Sequence, residues 1–355
     1  MSAPRISVIL PIYNVEDYLN ACLASIAEQS FADFEVLMID DGSQDKSPEI
    51  CDRWALKDQR FRVVHKKNGG VGSARNAGLE IARGDFFTFV DPDDYLESGF
   101  FAALVEAQAR CDSDIVIGRF TRLSESGRVI AQSQEIEELC IPRSDFSRHL
   151  PQLFRDRRLY YVYPKLCRSS SFQSIRFDEN MRIREDAVWN ADVLDVANSI
   201  QLSNHAGYRN IRYNARGLTK SANLQQFQDH VRAYEKVLRT ADTHGWMGEE
   251  LLRVLDERMM VWADGALKAI WRGSWTLKQK TAYADKLCGE PVLKTAFARL
   301  GDHGHPSPLL RKMSKQDGFG ALMELMRMEV TQSARKRIAL FVKRILGLSG
   351  RKTEP

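Results

Sequence analysis

Along the first 120 or so residues the hydrophobic positions switch between two periods. Short apolar runs that predict buried strands (ISVILPIY, FEVLMID, FRVVH and DFFTFVD) alternate with stretches in which apolar residues recur every three or four positions. Tyr18, Leu19, Cys22, Leu23 and Ile26 predict a first helix, with Asn14 as its N-cap and Asp17 near its positive end. Ser47 and Pro48 open a second, on which Ile50, Cys51 and Trp54 share a face. Val71 to Ala82 predict a third helix and Phe100 to Cys111 a fourth, before DIVIGRF. This succession predicts an α/β fold with a parallel sheet of Rossmann type. Beyond residue 120 the pattern weakens, and ESGRVIAQSQEIEE predicts an exposed hairpin or excursion. From about residue 222 it is helical, with Leu251, Leu252, Leu255, Met259 and Trp262 on one stripe.

A chain of 355 residues with 44% hydrophobic and 28% charged residues is expected to form about two or three soluble globular domains. The net charge of +4 says little about partners, although Lys and Arg concentrate near the C-terminus. Six scattered cysteines without a CxxC pair argue against a zinc site and a disulfide framework, and fit a reducing cytoplasm. MSAPRISVILPIY holds only one strand's worth of apolar residues, so it is not expected to be a signal peptide. No stretch approaches the roughly 20 apolar residues of a membrane span.

In sheets of this type ligands gather at the carboxyl ends of the strands. The unusual polar clusters PIYN, DDGSQD, KKNGGVGSARN and DPDDY follow strands one to four in turn. In DPDDY, Asp91 and Asp93 can reach a common point, and their oxygens favour Mg²⁺ or Mn²⁺; the same residues also suit a Pro-Asp turn whose last aspartate caps the next helix. Asp40 and Asp41 can accept hydrogen bonds from a nucleobase or ribose, or form an ordinary Asp-Gly turn. The glycines before Arg75 permit close backbone approach, and free N–H groups with a guanidinium suit a diphosphate. Their spacing is neither GxGxxG nor a GK[ST] loop. In MRIREDAVWN, Glu185 and Asp186 point about 100° apart on a helix, so one is expected to face a site and the other to make a structural contact. The pair also suits a helix start, where acids complement the macrodipole. His65, His205 and His230 show no metal-ligand spacing; they read as solvated or core residues, with His205 an outside candidate for a metal or phosphate contact.

Read in order, SVILPIYN, VLMIDDGSQDKS, KKNGGVGSARNAGLEIARGDFFTFVDPDDY and REDAVWN resemble the family-two inverting glycosyltransferases of GT-A fold, over residues 5–120 closely and 160–220 more loosely. The resemblance implies a Rossmann-like nucleotide-sugar-binding half over 1–122 and an acceptor-binding half over 123–221. A mainly α-helical C-terminal domain over 222–330 and a basic tail over 331–355 follow. It implies a nucleotide-sugar donor, usually a UDP-sugar, and a glycan or lipid-linked acceptor. On that analogy Pro11, Tyr13 and Asp40 border the nucleobase with Asp41 beside them, and Arg75 approaches base and diphosphate. Asp91 and Asp93 match the DxD element touching ribose and metal, with Asp94 a further ligand. Asp186, in the acid pair with Glu185, falls where the family places its catalytic base. Pro92 stands where many relatives carry Ser, which stiffens the turn without removing a ligand.

Residues 331–352 carry seven Lys or Arg and no acid, and Ile338, Leu340, Phe341, Val342, Ile345, Leu346 and Leu348 fill most of one helical side. Such a helix suits an anionic membrane surface, here the inner face of a bacterial membrane, or packs on the domain with its charges solvated. No interleaved aromatics point to nucleic acid. A nucleotide-sugar-binding protein without transfer and a membrane-surface adaptor are the competing readings; a processive synthase is disfavoured, since no channel helices accompany the domain.

Overall fold

The computed structural model describes residues 3–205, 207–213 and 224–301, with a few positions between 318 and 324. The strands are β1 (Ile6–Ile12), β2 (Phe34–Asp40), β3 (Phe61–His65), β4 (Phe86–Phe89), β5 (Tyr95–Leu96), β6 (Ile115–Ile117), β7 (Phe120–Ser124), β8 (Val129–Gln132), β9 (Cys140–Pro142), β10 (Lys165–Arg168), β11 (Ser199–Leu202) and β12 (Tyr208–Arg212). The helices are α1 (Glu16–Ala27), α2 (Ser47–Lys57), α3 (Val71–Ile81), α4 (Phe100–Cys111), α5 (Phe146–Arg155), α6 (Ser169–Phe172), α7 (Glu185–Val196), α8 (Leu224–Thr243), α9 (Glu249–Arg272), α10 (Leu277–Cys288) and α11 (Pro291–Gly301).

The main sheet has eight strands in the order β3-β2-β1-β4-β10-β6-β11-β9. Its first four strands are parallel, as the alternating pattern predicts, and β1 and β2 are buried along their whole length. β10 then runs antiparallel between β4 and β6 and joins the two halves. Pro11 is tolerated inside β1 because the ladder to β4 ends at Ile9, leaving β2 as its neighbour there. The expected hairpin beyond residue 120 is β7–β8, whose outer strand is exposed throughout. It belongs to a second sheet of order β5-β12-β7-β8.

Three expectations change. Asn14 does not cap α1: it takes a left-handed φ of 51°, and its side chain accepts from Gln44 N at 2.8 Å, tying the β1 loop to the β2 loop. Cys111 and Cys140 form a disulfide, where spacing argued against one. The pairing of β9 with β11 brings residue 140 to the end of α4, a proximity that sequence spacing does not carry. The chain divides into a unit of residues 1–220 with 228–255 and a unit of 221–227 with 256–355, so most of α8 belongs with the sheets and not with the later helices. The cause is apolar and ionic: Val237, Ala241 and Trp246 line a small cavity with Leu150, Phe154 and Leu194, and Lys236 pairs with Asp192 and Asp195. In the second unit Asp256 is fully buried against Arg299, which donates from both Nε and Nη2 at 2.7 Å. The basic segment 331–352 lies outside the described residues. Among the described residues no helix is long and apolar enough to cross a membrane.

α3 lies against β1 at Gly78, where a Cβ would sit 2.4 Å from Ile9 Cγ2. Gly78→Ala is therefore expected to destabilise the fold by about 1–3 kcal/mol through overpacking. Urea unfolding checks this; an unchanged midpoint would mean that the helix can shift outward at no cost.

Candidate active site

The four polar clusters do converge at the carboxyl ends of β1, β2, β3 and β4, but the structure gives their acids unequal work. At the end of β2, Asp40 accepts from Ser43 N at 3.0 Å, closing the turn at Gly42, whose φ of 74° suits glycine. Its other oxygen is 2.8 Å from His65 Nδ1, and His65 Nε2 is 3.2 Å from Asp52. The hydrogen bond to Asp40 raises the His65 pKa, against a smaller opposite effect of burial. Asp41 is almost fully buried and accepts from Lys66 Nζ at 2.6 Å, Gly69 N at 2.9 Å and Gly70 N at 2.7 Å. Two amides that the sequence offered to a diphosphate thus serve the protein's own carboxylate, which fixes the glycine loop at the start of α3. Of the other residues expected near the base, Pro11 is buried within β1 and Tyr13 is half exposed beyond it.

Arg75 lies on the buried side of α3 with only 4% of its surface exposed. Its Nη1 donates to Glu185 Oε1 at 2.7 Å and its Nη2 to Asp91 Oδ1 at 3.2 Å, while the guanidinium lies over Phe177 and Phe89 at 5.3 and 5.9 Å. Burial works against its charge, but Glu185, Asp91 and Asp186 outweigh it and raise its pKa. One side chain thereby ties the loop after β4 to the start of α7, its bond to Glu185 spanning 110 positions of sequence.

The DPDDY acids separate by environment. Asp91 is partly exposed; its backbone N–H donates to Tyr208 Oη at 3.1 Å. Asp93 meets no basic group among the described residues, and burial and then the Asp91 charge push its pKa up to about 6. Asp94, expected among the metal ligands, turns into the fold: Asn210 Nδ2 donates to both its oxygens at 3.1 Å and Ile211 N to one at 2.8 Å. It anchors β12 beneath the loop, which is a structural task, and its pKa is raised chiefly by burial and then by Asp93.

The two members of the acid pair differ in burial and partners. Glu185 is buried and committed to Arg75, so it makes the structural contact. Asp186 is half-buried at the first turn of α7, and its Oδ1 accepts from Ala187 N at 2.9 Å. Burial, followed by the Glu185 charge, pushes its pKa up to about 7, with Arg75 and Arg184 opposing. The preceding residue, Arg184, is left-handed at φ 67°. The structure therefore brings Arg75, Asp91, Glu185 and Asp186 into one electrostatic group, with Asp93 beside it, and leaves Asp40 and Asp41 in the neighbouring loops. His205 is not among them: it packs against Phe100 at 6.2 Å, and burial lowers its pKa.

Sequence reading missed His65, Phe177 and Asn210. A usable signal existed for His65, because Asp40 and His65 are register partners at the ends of adjacent parallel strands. None existed for Phe177 or Asn210, whose segments carry no periodic pattern leading to the site.

Residues 7–180 match the family model described as glycosyl transferase family 2. The chain is 31% identical over 248 residues to the uncharacterized glycosyltransferase EpsJ of Bacillus subtilis, covering 69% of this chain and 72% of that protein. It is 30% identical to the glycosyltransferase GlyG of Streptococcus pneumoniae, over 65% of this chain and 78% of that one. Its fold resembles that of S. aureus TarS residues 1–349, solved in complex with UDP-GlcNAc, with a TM-score of 0.67 over 92% of both chains at 22% identity.

Removing one partner from a buried ion pair leaves the other charge uncompensated. Arg75→Met is expected to cost about 3 kcal/mol in unfolding free energy. The double variant Arg75→Met/Glu185→Gln should recover much of that loss. Chemical denaturation of the two single variants and the double tests the coupling, and strictly additive losses would show that the pair is not the constraint.

Proposed function

The chain belongs to glycosyl transferase family 2, and from that premise we propose that it moves a sugar from a UDP-sugar to a hydroxyl of a glycan or lipid-linked acceptor in surface polysaccharide synthesis, with inversion. The observation that carries this reading is the electrostatic group itself: a carboxyl raised to about 7, beside a buried arginine that positions the loop bearing Asp91. The fold likeness to TarS, solved with UDP-GlcNAc, supports a uridine donor.

In this mechanism Asp186 accepts the proton of the acceptor hydroxyl as the new bond from that oxygen to the anomeric carbon forms. The sugar–phosphate bond breaks on the opposite face, and its electron pair leaves with the diphosphate. A proton acceptor with a pKa near the working pH is well matched to the task and typically contributes about 10²- to 10⁴-fold in rate. Glu185 acts as a positioning residue: it holds Arg75, which holds Asp91. The loop tied by Asp40, Asp41 and Lys66 borders the nucleobase side, with Pro11 and Tyr13 on β1 and just beyond it.

Asp91 and Asp93 fit a Mg²⁺ or Mn²⁺ ion. Their mutual repulsion, with no basic group on Asp93 among the described residues, is what a bound cation would relieve. Ions of this kind take one or two carboxylates and complete their shell with phosphate and water. Such an ion, when bound, supplies positive charge to the leaving diphosphate.

Asp186→Asn is expected to reduce transfer at least 100-fold while UDP affinity stays unchanged. Because Asp186 acts unprotonated, wild-type kcat should rise with pH through an apparent pKa of about 7 and level off above it. Undiminished transfer by the variant removes Asp186 from the role of base, whereas UDP binding without any transfer by the wild type favours the non-catalytic reading. Asp93→Ala should weaken UDP binding in the presence of Mn²⁺ but not in its absence, as read by calorimetry. Residues 331–352 are assigned to an anionic membrane surface; flotation with phosphatidylglycerol vesicles that is unaffected by deleting 331–355 would remove that assignment.

A further inference from the structure

The approach to the acid pair breaks two local rules. A helix N-cap ordinarily takes extended backbone and bears a short side chain whose oxygen accepts from the first turn. The N-cap of α7 is Arg184, in left-handed backbone at φ 67°, and its side chain makes no capping bond. A long side chain adopts this region at a cost that glycine avoids. The Arg184 carbonyl accepts the first bonds of the helix, from Ala187 N at 3.1 Å and Val188 N at 3.2 Å. Its backbone therefore sets the direction in which α7 starts, and with it the place of Asp186. Strain of this kind persists where the surroundings over-determine it.

The residues that do so lie on α8. The buried Asp229 accepts from Arg182 N at 3.1 Å and Ile183 N at 3.4 Å through one oxygen. The next residue, His230, accepts from Arg184 Nε at 3.0 Å through Nδ1. An arginine can only donate, so Nδ1 carries no proton and the neutral ring holds its proton on Nε2. Burial, then the Arg184 charge, push the His230 pKa down to about 3, so the ring stays a neutral acceptor at physiological pH. Two consecutive residues of α8 thus fix the three residues before the acid pair, two by their backbone and one by its side chain. Farther along, Lys236 pairs with Asp192 at 2.6 Å and Asp195 at 2.9 Å, and His244 Nε2 is 3.1 Å from Asp195. The contacts advance together along both helices, from the approach to α7 to its last turn.

The Arg184 guanidinium matters to Asp186 by its charge. Burial, then Glu185 and last Asp91, raise the Asp186 pKa, and Arg75 and Arg184 oppose them; the buried Lys165 also feels the Asp186 charge. Arg75 is held by Glu185 and Asp91, whereas Arg184 is held through its Nε by His230.

We propose that His230 is a positioning residue for Asp186: it holds the Arg184 side chain so that the guanidinium stays beside the carboxyl, on a backbone that Asp229 keeps in the course that starts α7. This rests on the transferase reading above and names what orients its base. A helix that the sequence assigns to a separate C-terminal domain then serves the reaction through Arg184.

The test is an NMR titration of the full chain labelled with ¹³C at its aspartate carboxyls, the Asp186 signal being identified by its loss in Asp186→Asn. The wild-type midpoint is expected at about 7. His230→Leu removes the acceptor and releases the guanidinium, so it should move the midpoint upward by about 0.5 or more, with UDP affinity unchanged in calorimetry. His230→Asn, whose Oδ1 can take the place of Nδ1, should restore most of the wild-type value. In an Arg184→Met background His230→Leu should add nothing, because the bond is already absent; a histidine that merely supports the fold would act in both backgrounds. Where His230→Leu does not fold, His230→Gln replaces it, since its oxygen falls at the place of Nε2 and away from Arg184. A midpoint unmoved or lowered by the loss variant, no rescue by His230→Asn, or a shift that persists in the Arg184→Met background overturns the proposal. The titration needs no turnover. Undiminished transfer by Asp186→Asn would remove the base reading, whereas the midpoints decide the role of His230 in either case.

Discussion

One buried guanidinium sets the arrangement of the candidate site. Arg75 cannot sit inside the protein without counter-charge, because desolvating an arginine costs several kcal/mol. The charges that compensate it come from two segments distant in sequence, Asp91 after β4 and Glu185 at the head of α7. Satisfying Arg75 therefore determines how far the loop after β4 stands from the helix that carries Asp186. The aromatic floor of Phe89, Phe177 and Trp189 leaves the guanidinium little freedom to find other partners.

The acids around it follow a division set by solvation. Asp40, Asp41 and Asp94 are nearly fully buried, and each receives hydrogen bonds from backbone amides, so they shape loops. Asp91, Asp93 and Asp186 keep partial exposure and incomplete compensation, which leaves them available to a ligand, a cation or a proton. The first kind holds the geometry of the candidate site, and the second is free to respond to charge.

Much of the first 120 residues was legible in the sequence. Strands and helices up to α4 appear where the two hydrophobic periods place them, because each element there buries a face against a neighbour close in sequence. The later half was less legible for a definite reason. β10 enters the sheet antiparallel between β4 and β6, and β12 joins a second sheet beside β5 and β7, so their partners lie far away in the chain. The Cys111–Cys140 pair and the attachment of α8 to the first unit were misread from spacing and periodicity on the same account.

What the sequence by itself determined is the set of chemical groups and the strand ends that carry them: DDGS, SARN, DPDDY and the REDAVWN acid pair, with a family resemblance that the comparisons bear out. It could not say which acid does which work. Asp40, Asp41, Asp91, Asp93, Asp94, Glu185 and Asp186 are chemically alike as residues, and only their burial and partners distinguish an anchor from a ligand or a base. Those depend on contacts between segments up to 117 positions apart, such as Asp94 with Ile211 and Arg75 with Glu185. Local pattern does not encode such contacts, and only the folded chain decides them.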